Sequence, residues 1–368
     1  MRRTQSTALA ILVTITGLLA GCADDARLNL PWMPKDEGIV ISTDVINIAA
    51  LRLQQEEFAI EAMNPSSDVR IYNGIRYEQV GVVLQVWNQE HTFLSKDTTN
   101  SPPHGPVGLI DEMGYNAPFQ YQQSFTGASF LKPGVAVLRS NGLPYEPESA
   151  YEVVYMPPAS MSQSETDLTY VQNMDDGPAG YRYKYRKTLT IDEEGRLTIT
   201  YRLTNTGTRR IQTLQYNHNF FKFDNTPIGP SYRVEFPYNI NFKGEPLRQS
   251  TVDGGTLQFT DIQDEQQAEI VGYQADIAEN TILIANDSLD LEVRITGDQP
   301  IAKLELDVSV DYLSPKVYTQ IDVLPGQTQI WNRTYDFIVV DEDEKKRRAE
   351  EAEEAAEAAA EAAAEVVN

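Results

Sequence analysis

Cysteine and histidine are scarce in this chain of 368 residues. Cys22 is the single cysteine, and only three histidines are present. A single cysteine excludes an internal disulfide and argues against a cysteine-based metal cluster. The sequence also lacks a zinc signature, a glycine-rich nucleotide loop and a nucleophile elbow. We therefore predict neither a cofactor nor a bound metal.

Basic residues are also few relative to acidic ones. The chain has 30 Lys and Arg residues against 54 Asp and Glu residues, which gives a formal net charge of −24. Binding to nucleic acid requires basic side chains that neutralise phosphates. This composition therefore argues against a nucleic-acid partner.

Long apolar runs are absent after the N-terminus, and the one near it is short. Arg2 and Arg3 precede a mostly apolar stretch at 8–19, which is too short to span a bilayer comfortably. Leu-Leu-Ala-Gly before Cys22 resembles a bacterial lipobox. The resemblance implies cleavage before Cys22, a diacylglycerol on that cysteine, and anchoring in the cell envelope, at the periplasmic face or the outer membrane. The alternative is an ordinary secretory signal with an incidental cysteine.

The composition divides the chain into four parts. We predict a signal peptide at 1–21, a tether at 22–44, a folded domain at 45–340 and an acidic tail at 341–368. The tail is dominated by Ala and Glu, which are strong helix formers. It has no apolar seam of large residues, so a coiled coil is disfavoured. A solvated, partly frayed helix and a partner-binding arm are both compatible with it.

The central part has the alternating pattern of β-strands. Alternation of apolar and polar residues is clear at 187–191 and 197–203, with a glycine turn between them. Similar runs are 82–87, 134–138, 151–155, 210–221, 281–285, 289–295, 303–310, 317–323 and 330–340. One short helix is predicted near 48–62. Many antiparallel strands over nearly 300 residues predict an all-β domain of two large packed sheets.

The strand at 211–220 carries the most informative polar pattern. Tyr216, His218 and Phe220 share one face, and Gln215 and Asn217 share the other. A histidine between two aromatic residues suits a sugar, whose ring stacks on the aromatic faces while the imidazole forms a hydrogen bond. The alternative is a histidine whose hydrogen bonds are satisfied inside the core.

The segment Tyr216–Phe221 resembles the Asn-His motif of aldose 1-epimerases, the galactose mutarotases, and an uncharacterised branch of that superfamily still more closely. The resemblance covers about residues 65–340. Its other motifs are Gly74–Tyr77, His104 before Asp111–Gly114, Phe130–Leu138, Tyr181–Arg186, Leu203–Gly207, Pro325–Gln327, Trp331 and Tyr335–Phe337. It implies a β-supersandwich with a sugar site on a concave face.

The resemblance also implies roles for individual residues. Mutarotation needs one group to remove the anomeric proton and another to protonate the ring oxygen. His218 aligns with the family's catalytic acid, and His104 matches a sugar-contacting histidine. Tyr216 and Asn217 belong to the same motif and are predicted to bind substrate. Arg76 is predicted to bind a sugar hydroxyl or carboxylate, with a surface salt bridge as the alternative.

The family's base is missing from its expected place. Aldose 1-epimerases use a glutamate in the C-terminal part of the domain, where this chain has Lys316. Glu112 is a candidate substitute, and the alternative is a structural carboxylate that accepts hydrogen bonds.

Two function classes follow from these observations. The first is a carbohydrate-active enzyme that acts on the anomeric centre, with His218 as acid and Glu112 as base. The second is a carbohydrate-binding lipoprotein without catalysis. Close approach of His218, His104 and Glu112 favours the first, and an exposed Trp87 or Trp331 favours the second. A cell-envelope assembly protein is a third reading, supported only by the anchor and the tail.

Overall fold

The computed structural model describes residues 26–28, 39–41, 50–65, 72, 74–95, 108–115, 118–123, 125–342 and 344–347. The predicted signal peptide, Cys22, His104 and nearly all of the Ala/Glu-rich tail lie outside the described residues. The chain divides into two units, 1–48 and 49–368. In the first unit, β1 (Ala26–Leu28) pairs antiparallel with β2 (Ile39–Ile41), so the predicted tether contains a strand pair.

The second unit contains two large sheets, whose strands are numbered in chain order. Sheet I has the order β11 (Ala159–Gln163), β12 (Asp167–Met174), β13 (Tyr183–Ile191), β14 (Leu197–Asn205), β25 (Thr328–Val339), β22 (Leu291–Gly297), β21 (Thr281–Asn286), β16 (Tyr232–Glu235), β19 (Thr256–Phe259), β18 (Ser250–Asp253). Sheet II has the order β17 (Asn241–Lys243), β20 (Gln266–Val271), β23 (Lys303–Ser309), β24 (Tyr312–Val323), β15 (Ile211–Asn219), β7 (Leu109–Met113), β5 (Val83–Asn88), β4 (Phe58–Met63), β3 (Ala50–Gln55), with β6 (His91–Thr92) beside β5.

Smaller elements complete the described chain. A third sheet consists of β8 (Ser129–Lys132), β9 (Ala136–Arg139) and β10 (Glu152–Tyr155). Short 3₁₀ turns are found at Tyr121–Gln123, Pro178–Gly180, Phe223–Asn225 and Ile277–Glu279. Residues 342 and 344–347 are helical. None of the helices in the described part of the chain has the length and apolar character that crossing a bilayer demands.

The predicted fold class is confirmed. The two large sheets are antiparallel and pack on each other, as the alternating sequence pattern indicates. On β13, buried residues alternate with partly or fully exposed ones along all nine positions. One apolar core combines Tyr170 and Ile199 of sheet I with Val83, Met113 and Leu304 of sheet II. This core fixes which face of sheet II points inward, and leaves the opposite face for other contacts.

The helix predicted near 48–62 is wrong. The segment forms the hairpin of β3 and β4, in which Gln55 pairs with Phe58. Glu56 has a φ of 49°, so a left-handed residue closes the turn without the usual asparagine or glycine. Packing explains the outcome, because Leu53 of β3 and Phe58 and Ile60 of β4 enter the core between the sheets.

A charged pair lies within the core between the sheets. Asp111 of β7 accepts hydrogen bonds from Lys187 of β13, Tyr201 of β14 and Gln215 of β15. Asp111 and Lys187 are both buried. Burying a charge is costly unless it is paired and hydrogen-bonded, so this network fixes the two sheets in one register.

We predict that Lys187→Met lowers the free energy of unfolding by about 3–5 kcal/mol, because it leaves the buried carboxylate of Asp111 without its cation. Denaturant unfolding followed by circular dichroism measures the loss. The control is Arg210→Met, which breaks an exposed pair with Asp322. That change should cost less than about 1 kcal/mol. Equal losses in the two variants would contradict a structural role for the buried pair.

Candidate functional site

Strand β15 presents different residues to its two faces. Gln215, Asn217 and Asn219 point towards sheet I, where they bond with Trp331, Tyr201 and Tyr335 respectively. Tyr216 and His218 point to the opposite face of sheet II, called here the outer face. A second apolar cluster lies on that face and includes Phe220 and Tyr77. The predicted division of this strand into two faces therefore matches the structure.

Glu112 is the centre of the polar contacts on the outer face. It lies on β7 directly opposite Tyr216 of β15. The Nζ atom of Lys132 lies 2.5 Å from its Oε1 atom. The Nε atom of Arg76 lies 3.3 Å from its Oε2 atom, which also accepts the hydroxyl hydrogen of Tyr216. The side chain of Glu112 is fully buried. We call Glu112, Lys132, Arg76, Tyr216 and His218 the Glu112 cluster.

The charges of the cluster stabilise one another. Burial acts to raise the pKa of Glu112, but the Lys132 and Arg76 cations outweigh burial and lower it below its ordinary value. Burial lowers the pKa of Lys132, and the Glu112 carboxylate opposes that shift. Glu112 is therefore an ionised carboxylate that accepts from three donors. Because its pKa is lowered, it is a weak base at neutral pH.

His218 is enclosed by this cluster and by aromatic rings. Its Nε2 atom lies 3.2 Å from the Tyr216 hydroxyl oxygen and 3.5 Å from Nη2 of Arg76. The imidazole stacks on Phe220 at 5.1 Å between ring centroids, and meets the Tyr77 ring edge-on at 4.9 Å. Only 2% of the residue is exposed. Among the described residues, its Nδ1 atom has no hydrogen-bond partner.

The imidazole of His218 is neutral at physiological pH. Burial lowers the pKa of His218 well below its ordinary value of 6.5, and the cations of Lys316, Arg76 and Lys132 lower it further. A neutral imidazole can donate and accept hydrogen bonds, but it is a poor proton donor compared with an imidazolium.

Arg76 connects the cluster to the surface. Its Nη1 atom lies 2.6 Å from Oε1 of Glu148, and its guanidinium lies over the rings of Tyr77 and Tyr115. The side chain of Arg76 is 11% exposed and that of Glu148 is 66% exposed. The loop at 141–150 makes a second contact with the cluster through Tyr145, whose hydroxyl accepts a hydrogen bond from Lys132 at 2.8 Å.

A further charged group lies beside the cluster on β23 and β24. The Nζ atom of Lys316 lies 2.8 Å from Oδ1 of Asp307 and 3.3 Å from Oε2 of Glu305. The Tyr318 hydroxyl donates to Glu305 at 2.5 Å, and its ring lies 4.4 Å from that of Tyr216. Burial raises the pKa of Asp307 above its ordinary value, although Lys316 opposes the shift. The family's glutamate is expected at the position of Lys316. The carboxylates that contact Lys316 belong to Glu305 and Asp307 on the neighbouring strand β23.

The structure brings together four of the predicted site residues: His218, Glu112, Arg76 and Tyr216. It does not bring Asn217 to them. The Asn217 side chain donates to the Tyr201 hydroxyl at 2.8 Å on the face towards sheet I. Sequence adjacency to His218 places it in the motif, but strand alternation turns it the other way. Trp331 is also buried between the sheets, so it is not an exposed sugar platform.

Several residues of the site were not predicted from the sequence. Strand β8 contributes Lys132 to the cluster, and the 141–150 loop adds contacts from Tyr145 and Glu148. Strand β23 places Glu305 and Asp307 at the edge of the cluster. The sequence did contain a signal for Glu305 and Asp307. Together with Lys303 they alternate with apolar residues, which places all three on one face of a strand. Among the described residues, no group of three or more His, Cys, Asp or Glu side chains is arranged to hold a metal ion.

Comparison with known proteins gives a match at the level of structure. No family model matches the chain, and no curated protein sequence matches it. The protein titled "Putative aldose 1-epimerase" from Escherichia coli K12 superposes with a TM-score of 0.54 at 12% identity, covering 79% of this chain and 99% of that one. A galactose mutarotase related enzyme from Lactobacillus acidophilus superposes with a TM-score of 0.51 at 9% identity, covering 80% and 98%. The chain therefore has the galactose mutarotase-like β-sandwich fold.

Proposed function

We propose that this protein binds carbohydrate on the outer face of sheet II, at the Glu112 cluster. The observation that carries the proposal is His218, a buried imidazole with an unsatisfied Nδ1 atom among the described residues, set between two aromatic rings. Buried polar atoms are normally hydrogen-bonded, so the unsatisfied Nδ1 atom is free to take a ligand as its partner. A sugar hydroxyl supplies that partner.

The surroundings of His218 fit a sugar. The buried rings of Tyr77, Tyr216 and Phe220 form apolar walls around the imidazole, Tyr115 is a partly exposed ring beside them, and Arg76 offers hydrogen-bond donors. Sites for small ligands combine apolar walls with a few well-placed polar groups in this way. The match in fold to the Escherichia coli and Lactobacillus acidophilus proteins supports the same class of ligand.

The protonation states favour recognition over proton transfer. Efficient acid–base catalysis requires groups whose pKa values lie near the working pH. His218 is neutral because its pKa is lowered, and Glu112 is ionised because its pKa is lowered as well. Both groups therefore serve better as fixed hydrogen-bonding partners than as a proton-exchanging pair.

Anomeric epimerisation is the second candidate function. One observation favours it: the Tyr216 hydroxyl contacts both His218 and Glu112, so the predicted acid and base lie one side chain apart. In that reading His218 protonates the ring oxygen of the sugar and Glu112 removes the anomeric proton. For this reaction the bound sugar would have to raise the pKa values of both His218 and Glu112 towards neutrality.

Exchange spectroscopy separates the two functions. For a panel of aldoses, we predict that the rate of α/β anomeric exchange measured by NMR equals that of buffer alone, for both the wild type and His218→Ala. The same substitution should weaken sugar binding about three- to tenfold, because it removes one hydrogen bond.

The matched control is His91→Ala, since His91 pairs with Asp224 rather than with the Glu112 cluster. It should leave sugar binding unchanged. Exchange that is accelerated by the wild type and lost in His218→Ala would establish the epimerase and refute a purely binding role.

We also propose that the protein is anchored in the cell envelope by lipid on Cys22. The support is the sequence alone: two arginines, a short apolar stretch and Leu-Leu-Ala-Gly before the single cysteine. Several acyl chains at one terminus give stable membrane attachment.

We predict that the protein expressed in bacteria partitions into the detergent phase of a Triton X-114 extraction and that Cys22→Ala moves it to the aqueous phase or leaves it unprocessed. Mass spectrometry of the mature N-terminus checks the modification directly. An unmodified N-terminus at a position other than 22 would contradict lipidation.

A further inference from the structure

The charges buried around Arg76 are not balanced within the cluster itself. Arg76 and Lys132 carry two positive charges, and Glu112 supplies one negative charge to both of them. His218 is neutral. The neighbouring carboxylates of Glu305 and Asp307 on β23 are already paired with two cations, Lys303 and Lys316. The cluster therefore has one positive charge without a buried counter-charge.

Glu148 supplies the missing charge from outside. Its carboxylate lies 2.6 Å from Nη1 of Arg76, although two thirds of its side chain is exposed to solvent. It belongs to a loop at 141–150 that is mostly exposed. The Glu148 carboxylate loses little free energy when it leaves Arg76, because water solvates it. The guanidinium that it covers is only 11% exposed, so a replacement anion stabilises its charge better than the limited contact with water does.

We propose that the sugar site takes an acidic carbohydrate, whose carboxylate replaces that of Glu148 on Arg76. This inference rests on the proposed carbohydrate-binding function and names the class of sugar. Guanidinium and carboxylate groups form strong, charge-assisted hydrogen bonds, and the ion pair with Glu148 already shows that Nη1 donates to a carboxylate at this position. Glu148 then acts as an internal competitor that the ligand displaces.

The ring of such a sugar lies within reach of the other groups. Nη2 of the same guanidinium lies 3.5 Å from Nε2 of His218, so a ligand on Arg76 is near the Nε2 side of the imidazole, and its ring has to extend past that atom to reach Nδ1. The Tyr115 ring lies below the guanidinium and is partly exposed, which offers an apolar face to a pyranose. A uronic acid combines a carboxylate with these two features in one residue.

Calorimetric titration of the full-length protein tests the inference with D-galacturonate, its neutral counterpart D-galactose, and acetate. We expect the wild type to bind galacturonate about tenfold more tightly than galactose and to bind acetate far more weakly than either. Glu148→Gln should tighten galacturonate binding about fivefold, because it removes the competing carboxylate, and should widen the ratio of galacturonate to galactose affinity.

The matched control is Glu146→Gln, an exposed neighbour in the same loop. It removes one negative charge without touching Arg76, so galacturonate affinity should stay at the wild-type value. An equal gain in both variants would overturn the displacement of Glu148, since general charge repulsion would then explain it.

Two other outcomes separate the inference from the proposed function. Equal affinity for galactose and galacturonate, in the wild type and in Glu148→Gln, would overturn the preference for an acidic sugar and leave carbohydrate binding standing. Binding of neither sugar by either protein would overturn both.

Discussion

The carboxylate of Glu112 is the group on which the outer face of sheet II depends. It is fully buried, and it accepts from Lys132, Arg76 and Tyr216. Each donor comes from a different part of the chain: β8, the segment before β5, and β15. Removing the carboxylate would leave two buried cations facing each other, at a cost of several kcal/mol. One side chain therefore holds three segments in a fixed arrangement around His218.

That arrangement determines what the site can do. Burial, followed by Lys316 and by the two cations that hold Glu112, lowers the pKa of His218, so the imidazole and the carboxylate are each held in one protonation state. A locked site is well suited to recognition, because its donors and acceptors are fixed before the ligand arrives. The same fixed protonation states disfavour acid–base catalysis, which needs groups that gain and lose a proton near neutral pH. The fold is shared with an Escherichia coli protein described as a putative aldose 1-epimerase, but function is decided by the site and not by the fold.

The sequence predicts the fold well, because alternation along strands reports burial directly. Strands β13, β14 and β15 were expected within a few residues of their observed ends, and two packed antiparallel sheets follow from their number. The hairpin of β3 and β4 was missed, since its turn at Glu56 uses an uncommon residue for a left-handed conformation. Tertiary packing, and not local preference, decided that segment.

The site was predicted only in part, for a related reason. Tyr216 and His218 could be placed on one face from strand period alone, and the same period excludes Asn217 from it. Lys132 and Glu148 could not be found this way, because their proximity to Arg76 arises from contacts between segments far apart in sequence. A charge balance across such segments is visible only once the chain is folded.

The protonation state of His218 decides between a fixed hydrogen-bonding partner and a general acid. NMR spectra of ¹⁵N-histidine-labelled protein report the charge of each imidazole, with His218→Gln to assign its signals. We predict that the His218 ring stays neutral throughout the range from about pH 6 to pH 8 and has a pKa below the ordinary value of 6.5. A His218 ring that titrates at or above that value would refute a fixed neutral imidazole and return His218 to the role of a general acid.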